Sequence, residues 1–163
     1  SRGTVKVKEH VAFAAAMEEA LSFDTKVLIE SGIDGAEVEC AVLEIGGSAQ
    51  ASIPGKVWID PQYEFYDYQA KYLDGATRID IPAPFAAEII EKIQSYALTA
   101  FKAIGAKGLA RVDFFVTHNG EIIINEINTM PGFTRTSAYP KMWQATGIGY
   151  SEVITHLLKS ALR

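Results

Sequence analysis

A single cysteine, Cys40, among 163 residues excludes an internal disulfide, and with it the small secreted domains that are stapled rather than packed. Its neighbours Val38, Glu39, Ala41 and Val42 make the thiol a small core hydrophobe rather than a nucleophile, and a reducing, cytoplasmic setting suits it. The three histidines, His10, His118 and His156, have no ligand spacing, and no Cys/His or Ser/His/Asp set is evident. No run approaches the roughly 18 apolar residues of a membrane span, and no basic, apolar leader opens the chain. Positive charge is in deficit: 15 basic residues against 20 acidic give a net charge of −5, without a polybasic block. Neither membrane insertion nor a surface tracking nucleic-acid phosphates is expected.

What is present is ordinary core-forming material, 48% hydrophobic and 21% charged, in about one domain's length. One compact core is the expectation. The chain opens without methionine in the small polar stretch Ser1, Arg2, Gly3, Thr4, which reads as the middle of a loop, so a fragment of a longer protein is expected.

Apolar periodicity divides the rest. Phe13, Ala16, Met17, Ala20 and Leu21 recur at helical spacing with Glu18 and Glu19 opposite, which predicts an amphipathic helix from about Lys8 to Ser22. Runs at Lys26–Glu30, Ala36–Ile45 and Ser52–Ile59, separated by Gly32, Asp34-Gly35 and Gly46-Gly47, predict an antiparallel meander. From Asp60 to Ala76 no period holds, and a loop of that length is uncommon unless functional. Pro84 opens a helix whose Phe85, Ile89, Ile93, Ala97, Ala100, Phe101 and Ile104 share one face and which Gly105 stops. Strands Leu109–Thr117 and Glu121–Ile127 flank Asn119-Gly120, a strong hairpin signal, and helices follow near Pro140–Ala145 and Ser151–Leu162. Helices beside antiparallel strand pairs, rather than βαβ units, make the class α+β.

The hairpin converts this pattern into a candidate site. A two-residue turn at Asn119-Gly120 sets Asp113 opposite Glu126, Arg111 opposite Asn128 and Phe115 opposite Ile124. Strand side chains alternate, so Arg111, Asp113, Glu126 and Asn128 project from one face, the other being apolar except for Asn125. Two directly opposed carboxylates repel, and Phe115 and Ile124 partly desolvate them, so a positive group belongs between them. Two readings satisfy that demand. Arg111 completes a buried ion triad, or a divalent cation takes the two carboxylates and the Asn128 amide oxygen as hard ligands, as Mg²⁺ does when substrate phosphates supply the remainder. The run from Asn128 to Thr134 then leaves the strand through Pro131-Gly132 into a hydroxyl-rich loop, which is either an anion-binding turn or simply a β-to-α connection.

Three segments in order, Phe65-Tyr-Asp-Tyr-Gln-Ala-Lys-Tyr72, Gly108-Leu-Ala-Arg-Val-Asp113 and Asn125-Glu-Ile-Asn-Thr-Met-Pro-Gly-Phe-Thr134, resemble the C-terminal part of the D-alanine:D-alanine ligases of the ATP-grasp superfamily. The resemblance covers essentially the whole chain. It implies an ATP-grasp C-terminal domain, a mostly antiparallel sheet flanked by helices. Residues 1–163 would be a catalytic portion, with the N-terminal substrate domain and the start of the central ATP-binding subdomain outside them. It further implies two Mg²⁺ ions, replaceable by Mn²⁺, held by Asp113, Glu126 and Asn128, with Glu126 bridging. Arg111 would steady the transferring phosphoryl group and the oxyanion of the tetrahedral intermediate. Lys71 and Tyr72 would belong to a loop closing over the site, the lysine reaching the ATP phosphates and the tyrosine helping to order the second substrate. Ser1 matches the end of a phosphate loop. Glu30 and Ile33 match the adenine hinge, Glu37 the acid that holds the ribose, and Phe65 and Phe115 the walls of the adenine pocket. Ser137 matches the serine that bonds the second D-alanine's carboxylate, with the Gly132 N–H where the oxyanion develops. Two positions depart from the pattern: Ala138 stands where leucine or methionine is common, and Gln69 where an acid is often found.

The activity implied is ATP-dependent ligation of two D-alanines through a D-alanyl phosphate, for peptidoglycan precursors, by a cytoplasmic enzyme that is a homodimer at full length. Such phosphoryl transfer relies on positioning and electrostatics, so the absence of a protein nucleophile is consistent with it. Rival readings are a D-alanine:D-serine or D-alanine:D-lactate ligase, a nucleotide-binding module without ligase activity, and a two-carboxylate metal hydrolase. The Lys71-Tyr72 pair argues against the lactate type.

Overall fold

The computed structural model describes residues 3–59 and 77–162, so Ser1 and the expected loop at Asp60–Ala76, with Phe65, Gln69, Lys71 and Tyr72, lie outside the described residues. The chain divides into two compact units, Ser1–Gly32 with Ile59–Thr77 and Ile33–Trp58 with Arg78–Arg163.

In the first unit a 3-10 turn, His10–Ala12, leads into helix α1, Phe13–Leu21. The helix is shorter than the predicted Lys8–Ser22 because Ala12 at its N-cap offers no side chain to the first free N–H groups. Ser22 then folds its hydroxyl back onto the Glu19 carbonyl at 2.6 Å. The segment Lys26–Glu30 is no strand. Asp24 Oδ1 accepts the Lys26 N–H at 3.0 Å in a turn, and Leu28 and Ile29 are exposed. Strand-like side chains do not make a strand without a neighbour to complete the ladder.

The sheet comprises β1 (Gly35–Ile45), β2 (Ser48–Ala51), β3 (Gly55–Ile59), β4 (Thr77–Asp80), β5 (Leu109–Thr117) and β6 (Ile122–Asn128), in the order β4-β3-β1-β5-β6 with β2 also on β1. The predicted run Ser52–Ile59 is a strand only from Gly55, and β2 ahead of it had no counterpart in the periodicity. Ser52 Oγ accepts the Ala41 N–H at 3.1 Å, and Pro54, which has no N–H, follows before β3 begins. One edge of β1 therefore meets β2 through Val42–Ile45 and β3 through Val38 and Glu39, while its other edge runs antiparallel to β5 from Gly35↔Thr117 to Leu43↔Leu109. Strand β4 had no counterpart in the periodicity.

Alternation along β1 and β5 sorts the two faces. Val38, Cys40, Val42, Ala110, Val112, Phe114 and Val116 point to helix α2, Ala87–Ala103, which buries Ile93, Ala97, Ala100 and Phe101 against them. This helix starts three residues after Pro84. Ile104 falls just past its end and is 52% exposed, so it leaves the predicted apolar face. Ala41 and Leu43 point the other way, onto Tyr139, Met142, Trp143 and Val153 of helices α3 (Ala138–Ala145) and α4 (Tyr150–Ala161). The Tyr139 hydroxyl donates to the Val42 carbonyl at 2.8 Å and ties that helix pair to the centre of the sheet.

The hairpin differs from the two-residue turn expected of it. Thr117 N–H donates to the Glu121 carbonyl at 2.9 Å, so His118, Asn119 and Gly120 form a three-residue loop with Gly120 at φ +82°. Facing pairs next to the turn are consequently Phe115↔Ile123 and Phe114↔Ile124, not Phe115 with Ile124. Asn125 is then the extra residue of a β-bulge, after which Asp113↔Glu126 and Arg111↔Asn128 pair as predicted. The two one-residue shifts cancel, which explains why the polar pairs are right although the turn is not.

Two outcomes test this packing. Removing the Tyr139 hydroxyl leaves a buried carbonyl without its side-chain donor, so Tyr139→Phe is expected to lower unfolding stability by about 1–3 kcal/mol in urea titrations. Burial pushes the Cys40 thiol up to about 12. Its contribution to stability is therefore complete below the pKa of the unfolded thiol, near 8.5, and is lost as pH rises toward the folded value. A disulfide reagent at pH 8 should label Cys40 only on unfolding; rapid labelling of native protein would contradict the packing.

Candidate active site

The face that β1 and β5 turn toward α3 and α4 is only half covered by them. Leu43, Ala41 and Leu109 lie under the helices; farther along the same strands come Glu39 and Glu37 on β1 and Arg111, Asp113 and Phe115 on β5. Register sets Glu39 against Asp113 and Asp113 against Glu126, so three carboxylates lie in one row across three neighbouring strands. Glu37 pairs with Phe115 in the next row. Arg111 is the one basic residue in the sequences of these three strands.

Arg111 binds Asp113 in fork geometry, Nε to Oδ1 at 2.7 Å and Nη2 to Oδ2 at 2.6 Å. Its Nε also lies 3.5 Å from Glu39 Oε1. The three side chains are largely withdrawn from water, at 11% exposure for Arg111, 14% for Asp113 and 3% for Glu39. The pairing of Arg111 with Asp113 is thus realised with Glu39 beside it, while Glu126, expected to be the other acid of a buried triad, is exposed. The pairing does not exclude a cation, because a carboxylate oxygen that accepts one hydrogen bond keeps a lone pair.

At the end of β6, Asn128 Oδ1 accepts the Met130 N–H at 3.0 Å, which fixes the amide and turns the chain toward Pro131-Gly132. Ser137 occupies the N-cap position of α3, yet its hydroxyl makes no cap bond. It accepts the Thr134 N–H at 3.0 Å and lies 2.8 Å from Thr134 Oγ1, which is in turn 3.0 Å from Thr136 Oγ1. A side chain on Gly132 would stand 3.2 Å from Ser137 Oγ, so glycine is what lets the serine hydroxyl sit against that backbone.

Arg111, Asp113, Phe115, Glu126 and Asn128 therefore share one sheet face with Glu37, and Gly132 and Ser137 lie together in the loop that follows. Ile33 is half-buried ahead of β1, while Glu30 is exposed and belongs to the other unit. Sequence reasoning missed Glu39. The alternation Glu37, Val38, Glu39 was a signal that both acids share a face, but only the non-local pairing of β1 with β5 reveals which residues they meet. Thr134 was also missed as the partner of Ser137.

The donor set suits a hard divalent cation. Asp113, Glu126 and Asn128 offer hard oxygen donors from one face of the β5–β6 pair. A cation here would take few protein ligands and complete its shell with phosphate and water oxygens, the habit of Mg²⁺.

Residues 1–159 match a family model described as the D-ala D-ala ligase C-terminus. A D-alanine–D-alanine ligase from an Arthrobacter species is 49% identical, over 99% of this chain and 44% of the relative, so the chain spans less than half that protein's length. Among solved structures, the D-alanine-D-alanine ligase of Coxiella burnetii aligns with a TM-score of 0.85 at 36% identity, over 99% of this chain and 42% of that one. A D-Ala:D-Ser ligase of Enterococcus faecalis aligns at 0.84 and 39%, over 96% and 45%. Sequence and fold thus agree along nearly all 163 residues, and the chain belongs to the D-alanine:D-alanine ligase family, matching its C-terminal, ATP-grasp part.

Proposed function

We propose that the protein containing this chain joins two D-alanines at the expense of ATP, and that the sheet face of Arg111, Asp113, Glu126 and Asn128 is where the phosphates are handled. The observation carrying this reading is the row of acids on one face with a buried guanidinium beside it. In the first step a D-alanine carboxylate attacks the γ-phosphorus and ADP leaves. In the second, the amine of another D-alanine attacks the acyl phosphate, inorganic phosphate departs and the amine loses a proton.

Both steps gather negative charge, and this chain's contribution is electrostatic. Arg111 is always protonated and carries a fork of donors suited to phosphoryl oxygens. Asp113, Glu126 and Asn128 would hold Mg²⁺, or Mn²⁺ in its place, which when bound neutralises and orients the phosphates. Phe115, Ile33 and Glu37 would contact the nucleotide, joined by Glu30, Phe65 and Ser1, while Lys71 and Tyr72 would close over it. Gly132 and Ser137 would receive the second amino acid, the serine hydroxyl being positioned by the Thr134 N–H that it accepts. A cytoplasmic homodimer remains part of the proposal. Among the described residues no helix is long and apolar enough to cross a membrane.

A second reading concerns the amino acid accepted last. The chain is as similar to a D-Ala:D-Ser ligase as to D-alanine ligases of known structure, and Ala138 leaves a small side chain beside Ser137. In full-length protein, ADP release with D-alanine alone is expected to equal or exceed that with D-serine added as second substrate. A marked rise on adding D-serine would transfer the assignment to the serine type.

The site is tested by Asp113→Asn and Glu126→Gln, each expected to abolish Mg²⁺-dependent ADP release while circular dichroism stays unchanged. Arg111→Lys keeps charge but loses the fork, and kcat should fall by about 100-fold. Near-parental turnover in either carboxylate variant would remove the metal assignment.

A further inference from the structure

We infer that Glu39 is a positioning residue: its buried carboxylate keeps Arg111 in place when Asp113 turns its oxygens to a divalent cation. The inference rests on the ligase reading but concerns a residue that reading does not use. Both oxygens of Asp113 are engaged by Arg111, at 2.7 and 2.6 Å, so a cation arriving there must share or displace the guanidinium. Arg111 cannot neutralise itself by losing a proton, and at 11% exposure it has little water to compensate a lost partner. Glu39 is an acceptor already in place. Glu39 Oε1 stands 3.5 Å from Arg111 Nε, beyond a good hydrogen bond but within ion-pair reach, so a shift of a few tenths of an ångström passes the bond from Asp113 to Glu39.

The surroundings hold Glu39 to that task. It is directly opposite Asp113 on one side and Gly55 on the other. A side chain at Gly55 would meet Ile79 at 2.5 Å and Ile81 at 3.0 Å, so those apolar groups fill the space over the glycine beside Glu39. Along the row on the other side Glu39 meets Asp113 and Arg111. Its carboxylate is ion-paired with the Arg111 guanidinium, which makes Glu39 a partner of the arginine in this inference.

The test uses full-length protein with a non-hydrolysable ATP analogue, titrated with Mn²⁺ and followed by electron paramagnetic resonance, alongside steady-state kinetics. Glu39→Gln keeps the shape and removes the charge; Glu39→Asp keeps the charge and draws it back by one methylene. Mn²⁺ affinity is expected to fall in the order parent, Asp, Gln, with about a tenfold loss for Gln, and kcat to fall by about 10-fold or more while KM for ATP moves little. A merely structural role would lower the melting temperature and leave the Mn²⁺ affinity of the folded protein alone. Parental Mn²⁺ affinity in Glu39→Gln, or Glu39→Asp no better than Gln, overturns the inference. Should Glu39→Gln not fold, parental affinity and kcat in Glu39→Asp overturn it equally. A parent protein that binds no Mn²⁺ with the nucleotide would instead defeat the ligase reading itself.

Discussion

The pairing of β1 with β5 is the constraint on which the rest of the structure depends. It runs unbroken from Gly35↔Thr117 to Leu43↔Leu109, between segments more than sixty positions apart in sequence. A slip by one residue would turn every side chain of a strand to the opposite face. Val38, Cys40 and Val42 would then face away from α2, and Glu39 would enter the apolar layer. The core thus selects the register, and the register puts Glu39, Asp113 and Arg111 together. Packing and chemistry are set by one and the same ladder.

The consequence is a sheet face with two characters. Near Leu43 and Leu109 it is apolar and lies under α3 and α4; beyond Ala41 it becomes acidic. Buried ion pairs add little to stability, because desolvation offsets most of their attraction. An apolar replacement of similar volume would serve folding as well as Arg111 and its two acids do. In the proposed function they are a store of oriented charge, with carboxylates that would attract cations and a guanidinium that would meet phosphate oxygens after a short shift from Asp113 to Glu39. The loop after β6 extends this arrangement, since Asn128 turns the chain and Gly132 admits the Ser137 hydroxyl.

Much of this was legible in the sequence, for reasons that differ from element to element. Helix α2 was evident because its apolar spacing is long and regular, and β5 because its alternation matches its boundaries. The polar pairs Asp113–Glu126 and Arg111–Asn128 emerged from a turn of the wrong length, rescued by the bulge at Asn125. A bulge depends on how both strands pack, which one strand's residues do not reveal. Lys26–Glu30 looked like a strand because propensity describes a side chain and not its neighbour. Glu39 escaped notice because its partners come from β5, and local spacing carries no record of such a contact. The family resemblance lay in short segments with chemistry of their own, and the comparisons bear it out along the chain.

The central claim is that this sheet face gathers cations and phosphates while Arg111 changes partner. Anomalous diffraction from crystals of the full-length protein with Mn²⁺ and a non-hydrolysable ATP analogue tests it most directly. Manganese peaks within about 2.2 Å of oxygens from Asp113, Glu126 and Asn128, with Arg111 moved toward Glu39, are the predicted result. Manganese bound away from this face, or Arg111 still locked in its two-pronged bond to an unligated Asp113, would contradict the account.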